Sequence, residues 1–170
     1  MRSIWKILPL CLALLSFSCG GKEKKEDGGF TIEREKAPAA NEAATPAANS
    51  GVKASERVDL ANKGVGPVAA VTLGAEIDAA MAAEGEAVYN QMCLACHRVG
   101  KKFIGPAPNG ILERRSPEWV MNMILNPEVM VAQDPLAKEL LIEFNGSPMA
   151  NQGLSQEQAR AVLEYFRTLK

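Results

Sequence analysis

Cys93-Leu94-Ala95-Cys96-His97 is the stretch on which the reading of this chain turns. C-x-x-C-H is the attachment signature of covalently bound haem. The two thiols add across the vinyl groups of the porphyrin as thioethers, and His97 offers a neutral imidazole nitrogen to the iron. On a helix, positions 93, 96 and 97 share one face, so a flat macrocycle is gripped at two edges and its centre. Two other uses of such cysteines exist. A closed zinc site needs four ligands, but the other two cysteines, Cys11 and Cys19, lie near the N-terminus. A redox dithiol normally sits beside a βαβ pattern, and none is visible. The spacing therefore implies one haem c on Cys93 and Cys96, with His97 as an axial ligand.

His97 is the only histidine in 170 residues. Bis-histidine ligation within one chain is thereby excluded, as is a second haem of the same kind. A sixth ligand must be Met, Lys or water, or the position is open. Met149 is the leading candidate, because residues 145–153 (Asn-Gly-Ser-Pro-Met-Ala-Asn-Gln-Gly) form a polar, turn-rich loop before a helix start at Ser155. A thioether there belongs to no apolar helical stripe. Met130 is the alternative, since Asn126-Pro127-Glu128-Val129-Met130 is also loop-like. Met121 and Met123 fall in a periodic apolar segment and read as core.

The N-terminal third has a different character. Residues 1–19 read as an export signal, with Arg2 and Lys6 preceding an apolar run from Ile7 to Phe17. That run is shorter than the roughly 20 residues a membrane span needs. Ser16-Phe17-Ser18-Cys19-Gly20 resembles a bacterial lipoprotein cleavage site with Cys19 as the lipidated first residue, although Ser16 stands where Leu is usual. Ordinary signal cleavage would instead leave a soluble periplasmic protein with an odd thiol, an awkward group to export. Residues 20–65 read as a disordered linker, charged at first and then rich in Ala, Pro and Glu. Such a composition buries too little surface to offset its ordering entropy. About 50 residues of this kind have an r.m.s. reach of about 40 Å. The net charge of −1 gives no reason to expect a nucleic-acid partner.

Residues 66–170 read as one small all-α domain of four helices. The first spans Asp78 to Cys96. The second opens at Ser116 with Pro117 in its first turn and stops at Asn126-Pro127. The third is capped by Asp134 and runs to Asn145-Gly146. The fourth starts at Ser155 with Gln158 three residues on, a capping box, and buries Ala159, Val162, Leu163 and Phe166. Gly66 to Leu73 shows weak alternation and reads as the first ordered piece. Arg114-Arg115 and Lys101-Lys102 read as solvated surface. Trp119 reads as core, with its indole N–H a candidate donor to a haem propionate.

From about Ala80 to Lys170 the chain resembles a bacterial class I monohaem c-type cytochrome. Gly85 and Tyr89 precede the haem motif as that family's helix-crossing glycine and aromatic do. Ile104-Gly105-Pro106 follows at the bacterial spacing, and Pro106 is similar to the proline whose carbonyl orients the proximal imidazole. Pro148-Met149 matches the distal-ligand loop, and Val162, Tyr165 and Phe166 match the C-terminal helix. Pro108 departs from the family, which usually has Leu there. The resemblance implies a His/Met-ligated electron carrier rather than an enzyme, and lipidation at Cys19 would tether it in the cell envelope. Its donor and acceptor would be redox proteins, the acceptor a terminal oxidase or a nitrogen-oxide reductase, with nitrous oxide reductase the first choice. The alternative is a five-coordinate haem enzyme or gas sensor with an open distal face. A haem module docked in a larger complex is a third reading that no residue selects.

Overall fold

The computed structural model describes residues 51–170. The expected signal segment, Cys19 and residues 20–50 of the expected linker lie outside the described residues. Six helices follow one another: α1 (Ala79–Met92), α2 (Ile111–Arg114), α3 (Pro117–Leu125), α4 (Pro127–Gln133), α5 (Pro135–Glu143) and α6 (Gln156–Thr168). No strand occurs among the described residues, only isolated bridges of Asp59 with Arg115 and of Arg98 with Lys101. The all-α expectation holds, with six helices in place of four.

Local chemistry sets most of the boundaries. Asp78, Ser116, Asp134 and Ser155 each accept a backbone N–H from the first turn of the helix that follows, which satisfies a donor with no intrahelical partner. Ser155 and Gln158 form the reciprocal capping box. Proline opens α3, α4 and α5, where its missing N–H costs nothing. Asn126-Pro127 is therefore both a stop and a start. Asn126 ends α3, and Pro127 begins α4, so the segment expected as a loop is helical.

The first helix ends earlier than expected. At Met92 the ladder slips: Leu94 N–H donates to Tyr89 O at 3.0 Å, one residue beyond the helical partner, and Cys96 and His97 both donate to Cys93 O. The haem motif thus sits in turns beyond the helix and not on a helical face.

α1 and α6 cross at the centre of the fold. A Cβ on Gly85 would lie 1.9 Å from the carbonyl oxygen of Ala161, so only glycine lets the two backbones touch. Tyr89, one turn on, packs its ring against Tyr165 and Phe166 at centroid separations of 5.4 and 5.8 Å. Val162 and Leu163 on α6 are fully buried against α3, and each contributes about 1.5–3 kcal/mol by its burial.

The ordered part begins well before residue 66. Ala54 belongs to the core. Asp59 N–H donates to Arg114 O, and Asn62 bonds the Asp134 carboxylate at 2.7 Å. Asn122, fully buried on α3, holds Lys63 O and both backbone groups of Val68. The expected linker boundary therefore moves from 65 to no later than Ala54. Polar composition hid a segment whose partners are supplied by distant parts of the chain.

Candidate haem site

The thiols of Cys93, which is half-buried, and Cys96, which is exposed, are free in the structure. Burial, and secondarily the neighbouring Cys96, pushes the Cys93 thiol up to about 11. A redox dithiol needs a thiolate near neutral pH, so that reading is disfavoured. Among the described residues no group of three or more His, Cys, Asp or Glu could hold a metal ion, which leaves no closed zinc site there.

His97 is held from two sides. Its carbonyl accepts the Tyr89 hydroxyl at 2.8 Å. Its Nδ1 lies 2.9 Å from the Pro106 carbonyl oxygen. A carbonyl only accepts, so Nδ1 carries the proton and Nε2 keeps a free lone pair. Gly105 makes the close approach feasible, since a Cβ there would sit 2.5 Å from His97 Cε1. Its N–H donates to Cys96 O at 3.0 Å, which folds the 103–106 turn back under the motif.

His97 and both cysteines line a cavity of about 240 Å³, walled by apolar side chains including Ile111, Val120, Leu140, Phe144 and Phe166. Met149 lines the same cavity from the 145–153 loop, and Met92 and Met123 also reach it. Met130 does not line it. It is fully buried in α4, and its sulfur accepts the Val65 N–H at 3.0 Å. Pro108, the departure from the family pattern, is buried on the cavity wall and its carbonyl accepts the Ile111 N–H at the start of α2.

Two expectations are corrected at the cavity rim. The Trp119 ring lines the cavity, but its Nε1–H donates to Asp134 Oδ1 at 3.3 Å, so the donor expected for a propionate is already engaged. Arg115 is not surface: it is 1% exposed. Its terminal nitrogens bond the carbonyls of Ala54, Arg57 and Arg114, and its guanidinium lies 5.2 Å over the Trp119 ring. Burial, and then the adjacent Arg114, lowers its pKa to about 10. Exposure statistics for arginine favoured the wrong reading, because only the folded chain brings three carbonyls to one guanidinium. Lys101 and Lys102 are exposed as expected.

The cavity fits a haem on its own chemistry. Arg114 and Arg115 line it, and the Nε of each is buried with no protein partner. Buried donors of this kind call for an acceptor. A macrocycle with carboxylate side chains, an apolar ring and a metal centre would satisfy these donors, the walls and His97 Nε2 together.

The comparisons agree. Residues 82–170 match the family model described as Cytochrome c. A cytochrome c2 of Rhodopseudomonas palustris is 49% identical over 35 residues, which span 21% of this chain and 30% of that protein. The cytochrome c from Rhodothermus marinus superposes with a TM-score of 0.59 at 45% identity, covering 68% of this chain and 92% of that one. An engineered form of it bound to a carbene intermediate gives a TM-score of 0.57 at 44% identity, covering 68% and 93%. Proteins of this family carry one covalent haem c, and Cys93 and Cys96 fit its attachment motif. The chain belongs to the cytochrome c family, as a class I monohaem c-type cytochrome.

Proposed function

We propose that this electron-transfer haem protein holds its iron between His97 and Met149, is tethered to a membrane through Cys19, and exchanges electrons with protein partners in the cell envelope. The observation that carries the reading is that His97, with its Nε2 lone pair free, and Met149 line one cavity. Bound haem supplies an iron that alternates between ferrous and ferric states. The chain's own part is to orient the imidazole through Pro106, to exclude water with apolar walls, and to offer donors from Arg114 and Arg115 to the propionates. A site saturated by two side chains suits outer-sphere transfer and leaves no position for a substrate.

A docking surface supports the protein-partner reading. Val99, Phe103 and Ile104 are exposed beside Cys96, and Arg98 lies over the Phe103 ring at 5.1 Å. Lys101 and Lys102 add charge to that rim, which suits an acidic partner. The acceptor we propose is an envelope terminal enzyme, either an oxidase or a nitrogen-oxide reductase with nitrous oxide reductase first, on the resemblance to tethered envelope cytochromes. Bacterial homologues in this family are generally extracytoplasmic. No helix among the described residues is long and apolar enough to cross a membrane.

The second reading is a haem open to an external ligand. It is favoured by the similar engineered structure that holds a carbene. The near-infrared Met-to-iron band of the ferric holoprotein separates the two. The band should be present, and Met149→Ala should abolish it, lower the potential and admit carbon monoxide to the ferrous protein. Met130→Ala and Met123→Ala should keep the band. Loss of the band in either of those variants, or its absence in the parent, would overturn the assignment of Met149.

A further inference from the structure

Residues 51–65 lie outside the stretch that matches the family model, yet Ser55 lines the haem cavity. The segment is fixed at two places. At the α2–α3 junction, the Arg115 guanidinium bonds the carbonyls of Ala54 and Arg57, and Asp59 N–H donates to Arg114 O at 2.9 Å. At α5, Ser55 N–H donates to Glu143 Oε2 at 2.8 Å and its hydroxyl to Oε1 at 2.5 Å. Arg57 pairs with Glu139 one turn earlier on the same helix. Residues 54–59 are a strap that joins α5 to the α2–α3 junction.

α5 has need of it. Among the helices its extensive packing is against α4 alone. Its last turn leads through Phe144 into the 145–153 loop, and that loop is lightly held. Its first residues are tied to α5, Asn145 N–H to Ile142 O at 3.1 Å and Gly146 N–H to Leu141 O at 2.8 Å. Beyond them, among the described residues, one hydrogen bond ties the loop to another helix, from Asn151 Nδ2 to Leu125 O at 3.3 Å. Asn145, Gly146 and Gly153, at its two ends, have left-handed backbone. Glu143, at the end of α5, is the residue the strap grips.

We propose that the Ser55–Glu143 and Arg57–Glu139 pairs are positioning devices: they hold α5, and through it the Met149 loop, so that the sulfur stays on the iron and outside ligands are kept off. The proposal rests on Met149 being the sixth ligand. A charge-assisted bond that exists only in the closed arrangement biases the closed population by its full differential strength.

The test is imidazole binding to the ferric holoprotein, with the near-infrared band as the second readout. Glu143→Ala should tighten imidazole binding about tenfold, the change expected when a hydrogen bond to a charged group is lost. Glu143→Gln should fall between the parent and Glu143→Ala, because the amide oxygen accepts the Ser55 N–H and its NH2 donates to the hydroxyl, but the charge assistance is lost. Glu139→Ala should shift binding the same way as Glu143→Ala, and decides the matter if Glu143→Ala does not fold. Parent-like imidazole affinity in the alanine variants, with the band present in the parent, would defeat the strap alone. Absence of the band in the parent would defeat the Met149 assignment and the strap with it.

Discussion

The imidazole of His97 fills the space that a side chain on Gly105 would take. A Cβ at 105 would lie 2.5 Å from Cε1, 2.8 Å from Nδ1 and 3.1 Å from Nε2. The backbone at 105 is not free to yield, since its N–H is bonded to Cys96 O and its carbonyl accepts the Phe103 N–H. The ring must move instead, and with it the 2.9 Å contact from Nδ1 to Pro106 O that fixes the tautomer.

Gly105→Ala is therefore expected to act on the proximal side through one methyl group. Forced overpacking of this kind costs about 1–3 kcal/mol. Urea unfolding of the holoprotein should show that loss, and the optical spectrum should show a perturbed axial imidazole. A variant with the parent's midpoint and spectrum would mean that the ring has another place to go.

What was readable in the sequence is what is decided over a few residues. The haem motif, the caps Ser116, Asp134 and Ser155, and the 145–153 loop are all local patterns. Gly85 and Pro106 were readable only through the family, because a glycine or a proline carbonyl carries no signal of what it will meet. The strap was missed because Ser55 and Glu143 are 88 residues apart. Polar residues in a low-complexity neighbourhood look like linker until their partners arrive. Arg115 failed for the same reason in reverse: its charge pointed outward, and three backbone carbonyls drew it in. α4 was hidden by Asn126-Pro127, which is equally a helix end and a helix beginning.

Glu164 gives a prediction in pH. Its carboxylate, 1% exposed, accepts the Asp78 N–H at 2.9 Å, Arg160 at 2.6 Å and Arg167 at 2.5 Å, and so ties α6 to the cap of α1. Burial pushes its pKa up, but the Asp78 bond and the two arginines outweigh that and hold it below the usual carboxylate range. The unfolded chain then binds the proton more readily than the folded one. The stabilisation is present above the ordinary carboxylate value and is lost as pH falls through it towards the folded value. Glu164→Gln should cost about 2 kcal/mol at pH 7. That gap from the parent should narrow in denaturant titrations run at pH 3. A gap that stays constant with pH would show that the charge does not matter at this site.

The last prediction concerns attachment. If Cys19 is the lipidated first residue of the mature protein, two acyl signals hold the haem domain at a membrane where one chain would be marginal. Cys19→Ala should move the holoprotein to the soluble periplasmic fraction with its spectrum intact. With the domain reaching back at least to Ala54, at most about 34 residues remain as tether, with a reach of about 30 Å if they behave as a flexible chain. Deleting residues 28–47 should slow turnover with a membrane-bound partner and leave the reduction potential alone, because reach changes and the pocket does not. A deletion that extends into Ala54–Arg57 should behave differently, since it removes the carbonyls that Arg115 holds and the hydroxyl that grips Glu143. Mass spectrometry of the mature N-terminus decides the anchor: an unmodified terminus at any residue after Cys19 would leave a freely diffusing cytochrome, and the shortened tether would then have no effect on turnover.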